Sequence, residues 1–117
     1  MLPKQHRLHG HKIPEIIKRG IRYQSSIAVL ILNRKNSLSL FSEFTTIIPS
    51  RLSKKANKRN RTKRLLNEAI SKNLKQVRPG FEVIVMAKKI LEKEKLQEIQ
   101  PEIDSLLKKA KMIIEAK

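Results

Sequence analysis

The stretch from Lys54 to Lys75 contains neither glycine nor proline and carries Leu65, Leu66, Ala69, Ile70 and Leu74 at helical spacing. A stripe that repeats every three to four residues is buried only when the helix lies against another layer. The rest of the chain must supply that layer, and three short apolar runs are suited to it. IAVLIL, residues 27–32, is continuous and rich in β-branched side chains, which fits a central strand covered on both faces. EFTTIIP, residues 43–49, predicts a second strand that ends where Pro49 would interrupt a ladder. EVIVMA, residues 82–87, follows the turn signal RPGF at 78–81 and predicts another. The segment before Ile27 is left open as a further strand. Two more helices are expected. KIPEIIKR, residues 12–19, spaces Ile13, Ile16 and Ile17 on one face, with Pro14 in the first turn and Gly20 as the stop. The last helix carries Leu96, Ile99, Ile103, Leu106, Ala110 and Ile113, with Pro101 expected in its true first turn.

This order of helix, two or three strands, long helix, strand and helix implies an α+β fold, a two-layer α/β sandwich with helices packed on one sheet. At 117 residues, 1–117 fits one domain with one core, and no self-association is expected.

Charge narrows the function. Lysine and arginine number 27 against 10 aspartates and glutamates, a formal net charge of +17 that attracts polyanions. No apolar run approaches the roughly 18 to 20 residues needed to span a bilayer, so no membrane partner is expected. The N-terminal MLPKQHRLHGHK is basic but lacks the apolar core and cleavage site of a secretory signal, and a cytoplasmic location is expected. Cysteine is absent, which excludes thiol nucleophiles and zinc fingers. His6, His9 and His11 do not place two rings on one helical face beside a carboxylate, so no metal site is expected in the protein. Glu15, Glu43, Glu68 and Glu82 show no catalytic spacing, and Gly10, Gly20 and Gly80 are too scattered for a phosphate loop. No catalytic residue is expected in this chain.

The informative segment is RLSKKANKRNRTKR, residues 51–64, which holds eight lysines or arginines and no acid. Lys54, Lys55, Lys58 and Arg59 are expected in the first turns of the long helix, where unsatisfied N–H groups already carry positive potential. A purely structural helix favours Asp or Glu there; a helix that binds phosphate does not. Projection at about 100° per residue places Asn57, Asn60, Arg61, Arg64 and Ser71 away from the apolar stripe. Arg59 and Lys63 fall close to it, and must either extend past the sheet or lay their stems along it. Glu68 is expected to pair with Arg64 one turn earlier. The candidate RNA contacts are therefore Arg51, Lys54, Lys55, Lys58, Arg59, Asn60, Arg61, Lys63 and Arg64.

KRNRTKRLL, residues 58–66, closely resembles the Arg-Asn-Arg signature of the bacterial ribonuclease P protein family, with Ala56, Arg59, Asn60, Lys63 and Arg64 at matching positions. Arg7-Leu8 followed by a short apolar helix and Gly20 is also similar to the family's N-terminal pattern, so the resemblance spans most of the chain. It implies a left-handed crossover around the motif helix, as in the second domain of ribosomal protein S5. It implies a catalytic RNA partner, magnesium ions held mainly by that RNA, and contact with the 5′ leader of precursor tRNA. Family members usually carry a Gly-Asn-Ala-Val run before the motif, where this chain has Lys54-Lys55-Ala56-Asn57. Their leader cleft commonly uses aromatic side chains where this chain has Ile13 and Ile17. Without base stacking, worth about 1 to 3 kcal/mol per base, leader binding is expected to lean on Arg7, Lys12, Arg19 and Tyr23 beside those isoleucines. Charge and size fit a ribosomal or other structural RNA-binding protein equally well, and a stand-alone nuclease using histidines or carboxylates is a rival from another class.

Overall fold

The computed structural model describes residues 6–8, 10–34 and 41–113. Four strands form a mixed sheet in the order β1-β2-β4-β3, with β1 at Ile21–Gln24, β2 at Ala28–Arg34, β3 at Glu43–Ile47 and β4 at Phe81–Ala87. β2 pairs antiparallel with both β1 and β4, whereas β3 runs parallel to β4. The segment left open before Ile27 is thus a third strand ahead of the long helix. Central position explains why β2 and β4 read as continuous apolar runs. Ala28, Leu30, Leu32, Val83, Val85 and Ala87 belong to the larger core, while Ile31 and Ile84 belong to a smaller one.

Three helices complete the described architecture: α1 at Ile13–Arg19, α2 at Ala56–Ser71 and α3 at Leu96–Lys109. α2 contributes Leu66, Ala69 and Ile70 to the larger core, and α3 contributes Ile99, Ile103, Leu106 and Leu107, so both cover the same face of the sheet. Their contacts run in parallel order: Gln100 Nε2 donates to the Ala69 carbonyl at 2.9 Å, and Asn73 Nδ2 donates to Asp104 Oδ1 at 2.6 Å. The short α1 lies on the opposite face, where Ile16 packs with Leu8, Ile31 and Ile84.

Several boundaries differ from the sequence reading for physical reasons. α2 begins at Ala56, not Lys54, because Lys55 is extended (φ −85°, ψ 116°) and its N–H is taken by Ser53 Oγ at 3.1 Å. Lys54 and Lys55 therefore precede the helix. It ends at Ser71, and residues to Gln76 continue in tighter turns, with Asn73 N–H on the Ile70 carbonyl and Gln76 N–H on the Asn73 carbonyl. Pro101 is inside α3, not in its first turn. The helix starts earlier because Glu98 Oε2 accepts the Lys95 N–H at 3.2 Å, half of a capping box. Proline is tolerated there because the carbonyl it leaves without a helical donor belongs to Gln97 on the exposed side. Ile113 falls beyond α3 and instead bridges Val77.

Two backbone positions have consequences for stability. α3 closes with Met112 N–H on the Leu107 carbonyl and Lys111 N–H on the Lys108 carbonyl, a Schellman arrangement with Lys111 at φ 59°. That conformation normally belongs to glycine. Gly20 stops α1 for a different reason. Its φ of −70° is ordinary, but a Cβ would stand 2.5 Å from Ile31 Cγ2 and 2.7 Å from the Ile16 carbonyl. Lys111→Gly should stabilise the fold, by up to about 1 kcal/mol in urea denaturation, as left-handed strain is relieved. Gly20→Ala should destabilise it by about 1 to 3 kcal/mol in the same measurement, because α1 must lift from β2.

Candidate RNA interface

Residues 48–55 carry the chain from the end of β3 to α2, and Ser50–Leu52 forms a single 3-10 turn within them. Arg51, Lys54 and Lys55 stand exposed on this connection, with Asn60, Lys63 and Arg64 exposed on α2. None of these cations forms an ion pair among the described residues. The expected Arg64–Glu68 pair is not formed; both side chains instead line an open groove along α2 with Asn57, Asn60, Lys63 and Asn67.

The remaining basic residues of the segment are engaged within the protein. Arg59 turns back on the chain: its Nη1 donates to the Ser53 carbonyl at 2.6 Å, bracing the connection that carries Lys54 and Lys55. Lys58 forms an ion pair with Glu92, which holds the Glu92 carboxyl below its usual range through that hydrogen bond and the ammonium charge. Arg61 turns onto the segment between β4 and α3, with Nε on the Glu92 carbonyl at 3.1 Å and Nη2 on the Glu94 carbonyl at 3.0 Å. The projection that set Arg61 on the free side of α2 is corrected, because the 88–95 segment lies beside this part of the helix. Ser71, projected to the same strip, is only half-exposed, and its hydroxyl oxygen is buried.

The edge of β3 adds residues that periodicity did not single out. Thr46 Oγ1 donates to Asn67 Oδ1 at 2.6 Å, tying α2 to the strand. Leu8 N–H donates to the Phe44 carbonyl at 2.9 Å, so Arg7 is seated against the same edge. Arg7, Thr45, Thr46, Lys63 and Asn67 line a second groove that adjoins the first through Lys63 and Asn67. A cationic path thus runs from the polar side of α2 to the sheet edge. The available signal for Asn67 was its helical spacing, three residues after Arg64 and seven after Asn60; Thr46 gave none.

On the α1 face, Ile13, Ile17, Val29 and Ile47 are only partly buried around the smaller core and leave a shallow apolar surface. Antiparallel register sets Arg22 opposite Ile31 and Gln24 opposite Val29, so both point to this face. Arg22 Nη2 reaches the Ile17 carbonyl at 3.2 Å. Tyr23 has the opposite parity and packs against the larger core, away from Ile13 and Ile17. Lys12 lies between Glu82 at 3.2 Å and Glu43 at 3.9 Å, and Arg19 pairs with Glu15 at 3.2 Å. Of the residues expected beside the isoleucines, Lys12 and Arg19 are therefore already paired, while Arg22 and Gln24 join the face unannounced.

His6 donates from Nδ1 to the Ser42 carbonyl at 2.8 Å and stacks edge-on to Phe41, a structural role. His9 lies outside the described residues, as does the side chain of His11. Among the described residues, no three potential ligands converge on a metal position, and no helix is long and apolar enough to cross a membrane.

Comparison with known proteins gives concordant matches. The family model described as Ribonuclease P matches residues 2–111. The ribonuclease P protein component of Rippkaea orientalis is 33% identical over 116 residues, covering 96% of this chain and 91% of that protein. Its counterpart from Pseudanabaena sp. is 28% identical over 115 residues, covering 97% of each. The solved RNase P protein from Thermotoga maritima superposes with a TM-score of 0.77 at 23% identity, over 94% of this chain and 98% of that one. The Staphylococcus aureus RNase P protein gives 0.79 at 19% identity, over 93% and 98%; at these identities both likenesses bear on the fold alone.

α2 is also joined to the 88–95 segment by a buried polar staple. Thr62 is fully buried; its hydroxyl donates to the Lys58 carbonyl at 3.0 Å and accepts the Leu91 N–H at 3.0 Å. Thr62→Val keeps the shape but leaves that buried N–H without an acceptor. It should cost about 1 to 3 kcal/mol in chemical denaturation.

Proposed function

Because the chain belongs to the ribonuclease P protein family and serves as the non-catalytic protein subunit in 5′ processing of precursor tRNA, we propose a division of labour between its two surfaces. The basic connection and polar side of α2, with Arg51, Lys54, Lys55, Asn60, Lys63 and Arg64, bind phosphates of the catalytic RNA. The α1 face, with Ile13, Ile17, Arg22 and Gln24, receives the single-stranded 5′ leader, and Arg7 lies where the edge of β3 joins the two. The observation that carries this reading is the run of exposed cations along the 48–55 connection and α2, without ion-pair partners among the described residues, beside three basic residues already engaged in the scaffold. Phosphate is the anion that such a surface lacks.

The protein contributes binding energy and charge neutralisation where two polyanions meet. Magnesium ions supply the holoenzyme's hydrolytic chemistry, and they belong with the RNA on this reading. The nearest carboxylate pair on the sheet, Glu43 and Glu82, already holds the Lys12 ammonium and does not fit a metal. The cytoplasm, where precursor tRNA is made, is the location this function requires.

The test is cleavage of a precursor tRNA at low magnesium by a bacterial ribonuclease P RNA, with the protein or its Lys63→Ala/Arg64→Ala variant. The protein should stimulate correct 5′ cleavage and the variant should lose most of that stimulation. The salt dependence of RNA binding should weaken by about 1 in log–log slope per phosphate contact removed. Tight RNA binding without any change in cleavage, with a cognate catalytic RNA, would instead favour a structural RNA-binding role.

A further inference from the structure

The segment between β4 and α3, residues 88–95, is fastened to α2 by one helical turn. Lys58, Arg61 and Thr62 stand three and four residues apart, on one side of the helix. Thr62 holds the Leu91 N–H, and Leu91 is itself buried in the larger core. Lys58 holds the Glu92 carboxylate. Arg61 donates to the carbonyls of Glu92 and Glu94, the residues on either side of Lys93.

A guanidinium offers N–H groups in a rigid fork, and here two of them already point at protein carbonyls. Lys93 is exposed, has no ion-pair partner among the described residues, and lines an open groove with Asn57, Lys58 and Arg61. Because Glu92 neutralises Lys58, the positive charges without an acidic partner at that groove are those of Lys93 and Arg61, and the Arg61 N–H groups are turned onto the loop carbonyls. Solvation alone would explain an exposed lysine on a loose loop. It does not explain a loop gripped on both sides of that lysine by the signature that carries the RNA-binding helix.

We propose that Lys93 is an RNA-phosphate contact continuous with the motif helix, and that Arg61 is the positioning residue that sets it in register, not itself a phosphate ligand. This rests on the reading that the polar side of α2 binds the catalytic RNA. The surface would then include a residue from the β4–α3 segment, far from the Arg-Asn-Arg signature in sequence.

The experiment is equilibrium binding of the whole protein to a bacterial ribonuclease P RNA as a function of salt. It compares Lys93→Ala, Arg61→Lys, Arg61→Ala and the double variant Arg61→Lys/Lys93→Ala, with Lys63→Ala/Arg64→Ala as the reference. Lys93→Ala, at an exposed position that leaves the fold intact, should weaken binding several-fold and lower the log–log salt slope by about 1. Arg61→Lys keeps the charge but cannot hold both carbonyls, so it should reproduce that loss, and the double variant should bind no worse than Arg61→Lys alone. The inference is overturned if Lys93→Ala leaves affinity and slope unchanged. It is equally overturned if Arg61→Lys binds like the parent while Arg61→Ala does not, since Arg61 would then act through its charge. If Lys63→Ala/Arg64→Ala also binds like the parent, the underlying reading of α2 fails with it; if only that variant weakens binding, the reading stands and the inference about Lys93 falls.

Discussion

The side chains of β4 are buried on both faces of the sheet, with Val83, Val85 and Ala87 toward α2 and α3 and Ile84 toward α1. A strand in that position accepts almost no charge, because an unpaired ion there would lose its hydration without compensation. The exception lies near its start, where Glu82 is buried and takes Lys12 at 3.2 Å and the Asn33 amide at 3.2 Å. The cations are therefore driven to helix ends, connections and edges. β4 also decides where they gather. Its neighbour β3 runs parallel to it, and parallel strands need a crossover, which here is α2. The basic run at 51–64 occupies the start of that crossover, so topology delivers it beside the end of β3 and the edge that Arg7 and Thr46 share.

Within that run the basic residues divide by chemistry. Arg59 and Arg61 use their directional N–H groups on backbone carbonyls, one bracing the connection before α2 and the other bracing the segment after β4. Lys58 uses a point charge on Glu92. The cations left exposed, Arg51, Lys54, Lys55, Lys63 and Arg64, project from elements that those internal contacts hold in place. The basic residues of the run thus serve two tasks: scaffold contacts that need geometry, and solvent-facing charge that needs only position. The signature is a structural device as well as a charged one.

That division limited what could be read from the sequence. The three apolar runs, the long helix and the two-layer architecture were legible because burial imposes periodicity. β1 was not, since IRYQ is an edge strand with Ile21 exposed and lacks a continuous apolar pattern. Pro101 misled the placement of the last helix because proline is commonest in a first turn, whereas here the reciprocal bond from Glu98 sets the start. The segment 51–64 was singled out by charge, but charge alone could not separate Arg61 from Arg64. Only the fold shows that 88–95 lies against one of them and not the other. Tyr23 was misplaced for a simpler reason: without the β1–β2 register, the side of the sheet it faces is undetermined, and a shift of one residue exchanges it with Arg22 or Gln24.

The two proposed surfaces lie on opposite faces of the sheet and come together at the edge of β3, through Lys63, Asn67 and Arg7. Only charges near that edge lie within about one screening length, roughly 8 Å at physiological ionic strength, of both surfaces. Separate neutralisation of two RNA segments would not require them to share a field; at that edge they share one. Each phosphate that reaches α2 there reduces repulsion among the protein's own cations but also weakens the field available to a strand on the α1 face. The α1 face compensates with apolar contact from Ile13, Ile17, Val29 and Ile47, which salt does not screen. On the proposed reading, a division between an electrostatic surface and a partly apolar one would let one domain hold two polyanions without using the same charge for both.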